Sequence, residues 1–198
     1  MARIIGITGG IASGKSTVTE FLRQQGYQVI DADQVVHELQ EPGERLYQAL
    51  LSAFGPAILQ EDGRLDRLKL GAMIFGNPQL LEQSSQIQNQ IIREELAGRR
   101  DLLAEKEDIF FMDLPLLFEL GYETWFDQVW LVDVTEETQL SRLMARNDLS
   151  QEEAEKRIAA QLSLQEKRNR ADVLIDNNGP LELTQEQLRE ALQKLERR

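Results

Sequence analysis

Short apolar runs alternate along the chain with longer stretches in which apolar residues recur every three or four positions. The run from Ile4 to Thr8 ends in glycines, and Val18, Phe21 and Leu22 follow at helical spacing, which predicts strand, loop, helix. Tyr27 to Ile30 predicts a second short strand, ending at Asp31-Ala32-Asp33. From there to about residue 103 the pattern is helical with punctuation. Pro42-Gly43 breaks the first helix, Leu46, Leu50 and Phe54 share one face of the next, and Gly55-Pro56 and Asp62-Gly63 are turns. Asn77 before Pro78 reads as a cap followed by a first-turn proline, with Leu80, Ser84, Ile87, Ile91 and Leu96 at helical spacing beyond it.

Strand patterns return at Ile109 to Met112 and at Gln128 to Val134. A helix presenting Leu140, Leu143 and Met144 is expected after Thr135. Ser150-Gln151-Glu152-Glu153 matches a capping box, with Leu149 and Ala154 spaced as a hydrophobic staple. Asp172 to Ile175 predicts a last strand and 181–197 a closing helix. Strands alternating with helices call for a parallel sheet covered on both faces. The helical stretch between strands two and three is too long for an ordinary crossover and is expected to form a lobe of its own. There is no internal repeat.

Composition narrows the chemistry. A chain of 198 residues, 41% of them hydrophobic, can bury one core or a core carrying an inserted lobe. Cysteine is absent and His37 is the only histidine, which excludes disulfides, thiolate metal sites, a cysteine nucleophile and a multi-histidine metal centre. The N-terminal apolar run is too short for a signal peptide, and nowhere do about 18 apolar residues run uncharged, so a cytoplasmic protein without a membrane span is expected. The net charge of −12 opposes a nucleic-acid or anionic-membrane surface. Residues 142–170 depart from it, with seven basic side chains against five acidic ones.

Gly9-Gly10-Ile11-Ala12-Ser13-Gly14-Lys15-Ser16 fits G-x-x-x-x-G-K-[ST], and Thr17 follows. Glycines let the backbone approach phosphate oxygens, and the loop points N–H groups at them from the positive end of a helix. Lys15 supplies a point charge to the β and γ oxygens, and the Ser16 hydroxyl can sit on Mg²⁺. The pattern therefore predicts nucleoside triphosphate binding.

A phosphotransferase and a GTP-driven switch both use such a loop. Asp176-Asn177-Asn178-Gly179 spells the switch's D-x-x-G, and Asn169-Arg170-Ala171-Asp172 nearly spells its guanine reader, but both are misplaced along the chain. A kinase needs a group for the acceptor hydroxyl. Asp33, just past the second strand, suits a general base, while Asp31 reads better as a helix cap. Alternatively, Asp33 caps the helix. His37, one turn on, suggests a surface or substrate-side role. Arg142 and Arg146, spaced i, i+4, present two guanidinium groups from one helix face for charge developing on the transferred group. Their bland alternative is a solvated basic face pairing with nearby glutamates. A mobile lid that excludes water is the expectation for this basic segment.

These residues together resemble the dephospho-CoA kinase family over nearly the whole chain. The likeness rests on Thr8 to Thr17, Asp31-Ala32-Asp33, Glu41-Pro42-Gly43, Gly71 to Phe75 and Pro115 to Glu119. Val132-Asp133-Val134, Gln139-Leu140, Arg142, Arg146, Ala154, Gln161, Lys167 and Ala171 to Gly179 complete it. The resemblance implies a P-loop three-layer α/β/α core with a five-stranded parallel sheet, built from 1–34, 104–136 and 170–198. It also implies a helical substrate domain at 35–103 and a helical lid at 137–169.

The implied reaction takes ATP and dephospho-CoA to ADP and coenzyme A, the phosphoryl group going to the ribose 3′-hydroxyl. Gly10, Ile11, Ala12, Ser13, Gly14, Lys15, Ser16 and Thr17 would bind ATP, Asp33 would be the base, and Arg142 and Arg146 the lid arginines. Asn177 and Gly179 would lie near the adenine. No obligate protein partner is implied. The alternatives are a P-loop kinase of another nucleoside or nucleotide, or a nucleotide-dependent switch.

Two positions depart from the family. Ala12 stands where glycine is usual, tolerable if its φ is negative, and Asn89-Gln90 replaces a common His-Pro. Pro115 to Glu119 would shape the acceptor pocket or serve only the turn out of the sheet.

Overall fold

The computed structural model describes residues 2–197; Met1 and Arg198, the outer ends of the expected core segments, lie outside them. Five strands, β1 (Arg3–Gly9), β2 (Val29–Asp31), β3 (Ile109–Asp113), β4 (Gln128–Asp133) and β5 (Val173–Asp176), form one sheet in the order β2-β3-β1-β4-β5. β1 pairs in parallel with both β3 and β4, and β4 with β5. The register sets Ile7 against Asp113, Gly9 against Val132 and Asp133 against Asp176. Parallel strands finish on one edge, so the carboxyl ends of β1, β3, β4 and β5 share it, the place where open α/β sheets bind ligands.

The two faces of β1 read differently. Ile5 and Ile7 are fully buried against α1 (Lys15–Gln24) and α9 (Leu181–Glu196), together with Phe111, Trp130, Val132 and Ile175. Tyr27, just before β2, Phe111 of β3 and Trp130 of β4 pack edge to face at 5.4 Å spacings. Gly6 points the other way. A Cβ there would stand 2.7 Å from Leu117 and 2.8 Å from Phe126, so the segment leaving β3 closes on bare backbone.

After β4 come α6 (Glu136–Asn147), α7 (Gln151–Ala159) and α8 (Leu164–Arg170). Their caps obey local chemistry. Thr135 accepts from Thr138 N–H, and Ser150 with Glu153 and Ser163 with Glu166 each form a complete capping box.

The chain divides into two compact units, Met1–Ile30 with Leu103–Arg198, and Asp31–Leu102. The second holds α2 (Ala32–Leu39), α3 (Arg45–Phe54), α4 (Arg67–Ile74) and nearly all of α5 (Pro78–Ala104). Its buried side chains include Leu39, Leu46, Leu50, Ile58, Leu70 and Leu96. Arg99 ties α5 to α2 through Glu38 at 2.7 Å while pairing with Glu95 at 2.8 Å. Asn77 Oδ1 accepts from the N–H groups of Gln79 and Leu80 and starts α5. Asn89 and Gln90 lie exposed inside this 27-residue helix, which runs through them unbroken, and Gln90 donates to Glu94. A proline at 90 would delete a helical N–H and crowd the preceding turn.

Candidate active site

The loop leaves β1 at Gly9 and enters α1 at Lys15. Gly14 sits at φ 84°, and a Cβ there would collide with the Asn177 amide. Gly9 has no room either, with Ser13 Oγ against it. Ser13 N–H donates to Gly10 C=O and Thr17 N–H to Gly14 C=O, both at 3.0 Å. The N–H groups of Ala12, Gly14, Lys15 and Ser16 have no acceptor among the described residues. Four unpaired donors thus lie in the loop and first turn at the positive end of a ten-residue helix, which suits an anion.

Ala12 corrects an expectation. Its φ is +61°, in the left-handed region, so its methyl is carried under strain of about 1–2 kcal/mol rather than accommodated at negative φ.

Lys15 projects across the edge and forms an ion pair with Asp113 at the end of β3. Asp113 is 5% exposed and Lys15 17%, so the ammonium waits at the sheet edge held by a nearly dry carboxylate. Nothing in the sequence pattern singles out Asp113. Its role as Lys15's partner follows from the β1–β3 register.

The basic stretch 142–170 proves mostly structural. Lys156 pairs with Glu152, Lys167 with Glu119 at 2.8 Å, Arg168 with Asp133 at 2.8 Å, and Arg170 with Glu123. The Asp133 carboxylate holds the Arg168 guanidinium above its ordinary pKa. Arg170 also lies over the Phe118 ring at 4.7 Å. Pro115 to Glu119 therefore serves at least to anchor α8. What remains for a ligand is narrower. Arg142, half-buried, brings Nη1 to 3.7 Å from where a Gly14 Cβ would be, and has no ion pair among the described residues. Arg146 is exposed and donates to Asn147.

Asn177 is buried, donates from Nδ2 to Ser13 C=O at 2.8 Å, and accepts from Thr184 at 3.0 Å. Its side chain braces the loop from the end of β5. Gly179 is exposed with no crowding that demands a glycine.

In the second unit, Asp31 accepts from Gln34 N–H at 3.1 Å and caps α2. Asp33, in the first turn, is exposed and carries no hydrogen bond or ion pair among the described residues. The capping work is thus done by Asp31, and the Asp33 carboxylate is uncommitted. His37, one turn on, contacts Arg67 at 2.8 Å and borders a cavity of about 480 Å³ with Gln40, Arg64, Arg67 and Leu68. A larger cavity of about 560 Å³ lies between β5 and α9; none of its lining residues belongs to the loop.

Among the described residues no cluster of three His, Cys, Asp or Glu side chains could hold a metal, and no helix is long and apolar enough to cross a membrane. The loop, its lysine at the edge of a parallel sheet and the 2-3-1-4-5 strand order define a P-loop kinase core. Shikimate kinase from Aquifex aeolicus shares that fold at 18% identity, with a TM-score of 0.52.

More specific likenesses follow. Residues 3–182 match the family model described as dephospho-CoA kinase. A Streptococcus pyogenes dephospho-CoA kinase is 61% identical over 97% of this chain and 98% of its own, and one from Streptococcus mutans is 59% identical over 99% of each. A dephospho-CoA kinase structure from Campylobacter jejuni superposes with a TM-score of 0.76 at 27% identity, covering 98% of both chains. The chain belongs to the dephospho-CoA kinase family, and so is a phosphotransferase.

Proposed function

We propose that the chain transfers the γ-phosphoryl group of ATP to the ribose 3′-hydroxyl of dephospho-CoA, the last step of coenzyme A synthesis, in the cytoplasm. The observation that carries the mechanism is the division of labour at α2, where Asp31 caps and Asp33 is left free. Asp33 is the general base: it orients the acceptor hydroxyl and takes its proton as the oxygen bonds to phosphorus. The free N–H groups of Ala12, Gly14, Lys15 and Ser16 receive the β-phosphate, with Gly10, Ile11, Ser13 and Thr17 shaping and closing the loop. Lys15 exchanges Asp113 for the β and γ oxygens.

The exposed Ser16 hydroxyl would hold Mg²⁺, a hard cation that takes oxygen ligands and keeps several of its waters. When bound, the ion would supply positive charge that offsets the charge of the phosphates. Arg142, beside Gly14, and Arg146 on the same helix face stabilise charge on the transferred group. The adenine lies by the Asn177–Gly179 turn. Residues 35–103 form the acceptor domain, and 137–169 the lid that excludes water.

The test is ADP release with dephospho-CoA against a panel of nucleosides and nucleoside monophosphates. Efficient turnover of dephospho-CoA is expected. Turnover of another panel member without dephospho-CoA overturns the acceptor assignment, and tight GTP binding without turnover favours a switch.

A further inference from the structure

Two glutamines far from the loop in sequence hold both polar backbone groups of one loop residue. Ile11 N–H donates to Gln161 Oε1 at 3.0 Å, and Ile11 C=O accepts from Gln139 Nε2 at 2.9 Å. Gln139 comes from α6 and is 3% exposed; Gln161 lies in the link between α7 and α8. We propose that Gln139 and Gln161 are positioning residues that set the conformation of the phosphate loop through this pair of opposed hydrogen bonds. The proposal rests on ATP being the phosphoryl donor.

Three observations support it. First, the loop needs external restraint. It contains Gly9, Gly10 and Gly14, whose unfolded freedom makes a preformed cradle entropically expensive. Fixing Ile11 on both sides restrains the loop that carries the free N–H groups of Ala12, Gly14, Lys15 and Ser16. Second, Gly10 accommodates the clamp. A Cβ at Gly10 would lie 2.5 Å from Gln139 Nε2, so that glycine makes room for the amide as well as for phosphate. Third, the Gln161 side is anchored. Leu162 N–H donates to Glu119 Oε1 at 3.1 Å, and fully buried Lys167 pairs with the same oxygen at 2.8 Å. The link from 161 to 167 is therefore a strap fixed to the loop at one end and to the segment after β3 at the other.

The polarity yields a test that a merely structural role would not pass. Gln161 only accepts from Ile11, so a carboxylate can replace it. Gln139 only donates to Ile11, so an ionised carboxylate cannot. Gln139→Glu and Gln161→Glu both place a charge beside Ile11, at 139 in the more buried site, so hydrogen-bond direction is read most cleanly at Gln161, where Glu keeps the acceptor and Met does not. The readouts are the KM for ATP, kcat, the KM for dephospho-CoA, Tm, and the Kd for ATP by calorimetry. The calorimetric value needs no acceptor, so it stays readable if the acceptor assignment fails.

Expected is an ATP KM and Kd about tenfold weaker for Gln139→Glu than for Gln161→Glu, the order of one lost hydrogen bond plus an unsatisfied carbonyl. Gln139→Met and Gln161→Met should each weaken ATP several-fold, with the acceptor KM unchanged. Equal effects of the two glutamate variants, or wild-type ATP affinity in both methionine variants, overturn the proposal. If the Gln139 variants do not fold, the Gln161 pair decides: Glu binding ATP better than Met supports the clamp, and equal binding overturns it.

Discussion

The phosphate loop and the exposed face of α2 divide the proposed work very differently. Around the loop nearly every side chain is committed. Asn177 braces Ser13, Gln139 and Gln161 hold Ile11, and Lys15 is paired with Asp113. On α2 the functional candidate is uncommitted: Asp31 satisfies the helix end and Asp33 stands exposed in the first turn. The contrast fits two ligands with different demands. A triphosphate is recognised by backbone donors that must already be aimed, because each misdirected donor loses charge stabilisation in the transition state. A base must instead be free to take a proton, and a carboxylate tied into a cap would be a poorer one.

The contrast can be broken at several points. Asp33→Asn should lower kcat by about 10²–10⁴-fold while the calorimetric Kd for ATP stays at the wild-type value. Turnover close to wild type would show that the uncommitted carboxylate is idle. Lys15→Ala should lower kcat/KM by on the order of 10²-fold or more. It should also lower Tm, because it removes the Lys15 ammonium from a carboxylate that is only 5% exposed. Adding Asp113→Asn should restore much of the Tm and none of the turnover, separating the structural role of the pair from the catalytic role of the lysine.

Asn177→Ala removes a buried brace at both ends, and an expected loss of about 1–3 kcal/mol in denaturant unfolding should come with a weaker ATP KM. Unchanged ATP affinity would mean that the loop keeps its shape without the brace. Ala12→Gly relieves the left-handed methyl and should raise stability by up to about 1 kcal/mol, a gain partly offset by extra freedom in the unfolded chain.

The smallest effect is electrostatic. Ser150 and Ser163 donate hydrogen bonds that hold the Glu153 and Glu166 carboxyls below the usual glutamate value. The folded state therefore binds these protons less readily than the unfolded one. Their stabilisation is present above about pH 4.3 and is lost as pH falls through and below it. The Ser150→Ala, Ser163→Ala double variant should show a shallower loss of Tm as pH falls through the glutamate range, because its carboxyls titrate closer to their unfolded value.

Much of this was legible in the sequence, for physical reasons. The eight loop residues are contiguous and each has its own mechanical task, so their pattern predicts their geometry. The Ser150 capping box and the Asn77-Pro78 start are equally local and appear as read. Strand boundaries moved by one or two residues, as at β2, which begins at Val29 rather than Tyr27. Long-range partners were not legible. Gln161 meets Ile11 across 150 positions of chain and Lys15 meets Asp113 across 98, and no periodicity encodes such meetings. Counting charges in 142–170 revealed a basic island but could not tell Lys167, buried against Glu119, from Arg142 beside the loop. The backbone angle of Ala12 was also hidden, because alanine's identity does not disclose the sign of φ.

The most direct test of the central claim is to map where the phosphate goes. Wild-type protein would be incubated with ATP, Mg²⁺ and dephospho-CoA, and the product examined by phosphorus–proton correlation NMR while ADP is quantified. The account predicts one new phosphomonoester coupled to the ribose 3′ proton, formed in step with ADP. ADP released without that ester, or phosphate attached at another hydroxyl, would contradict it.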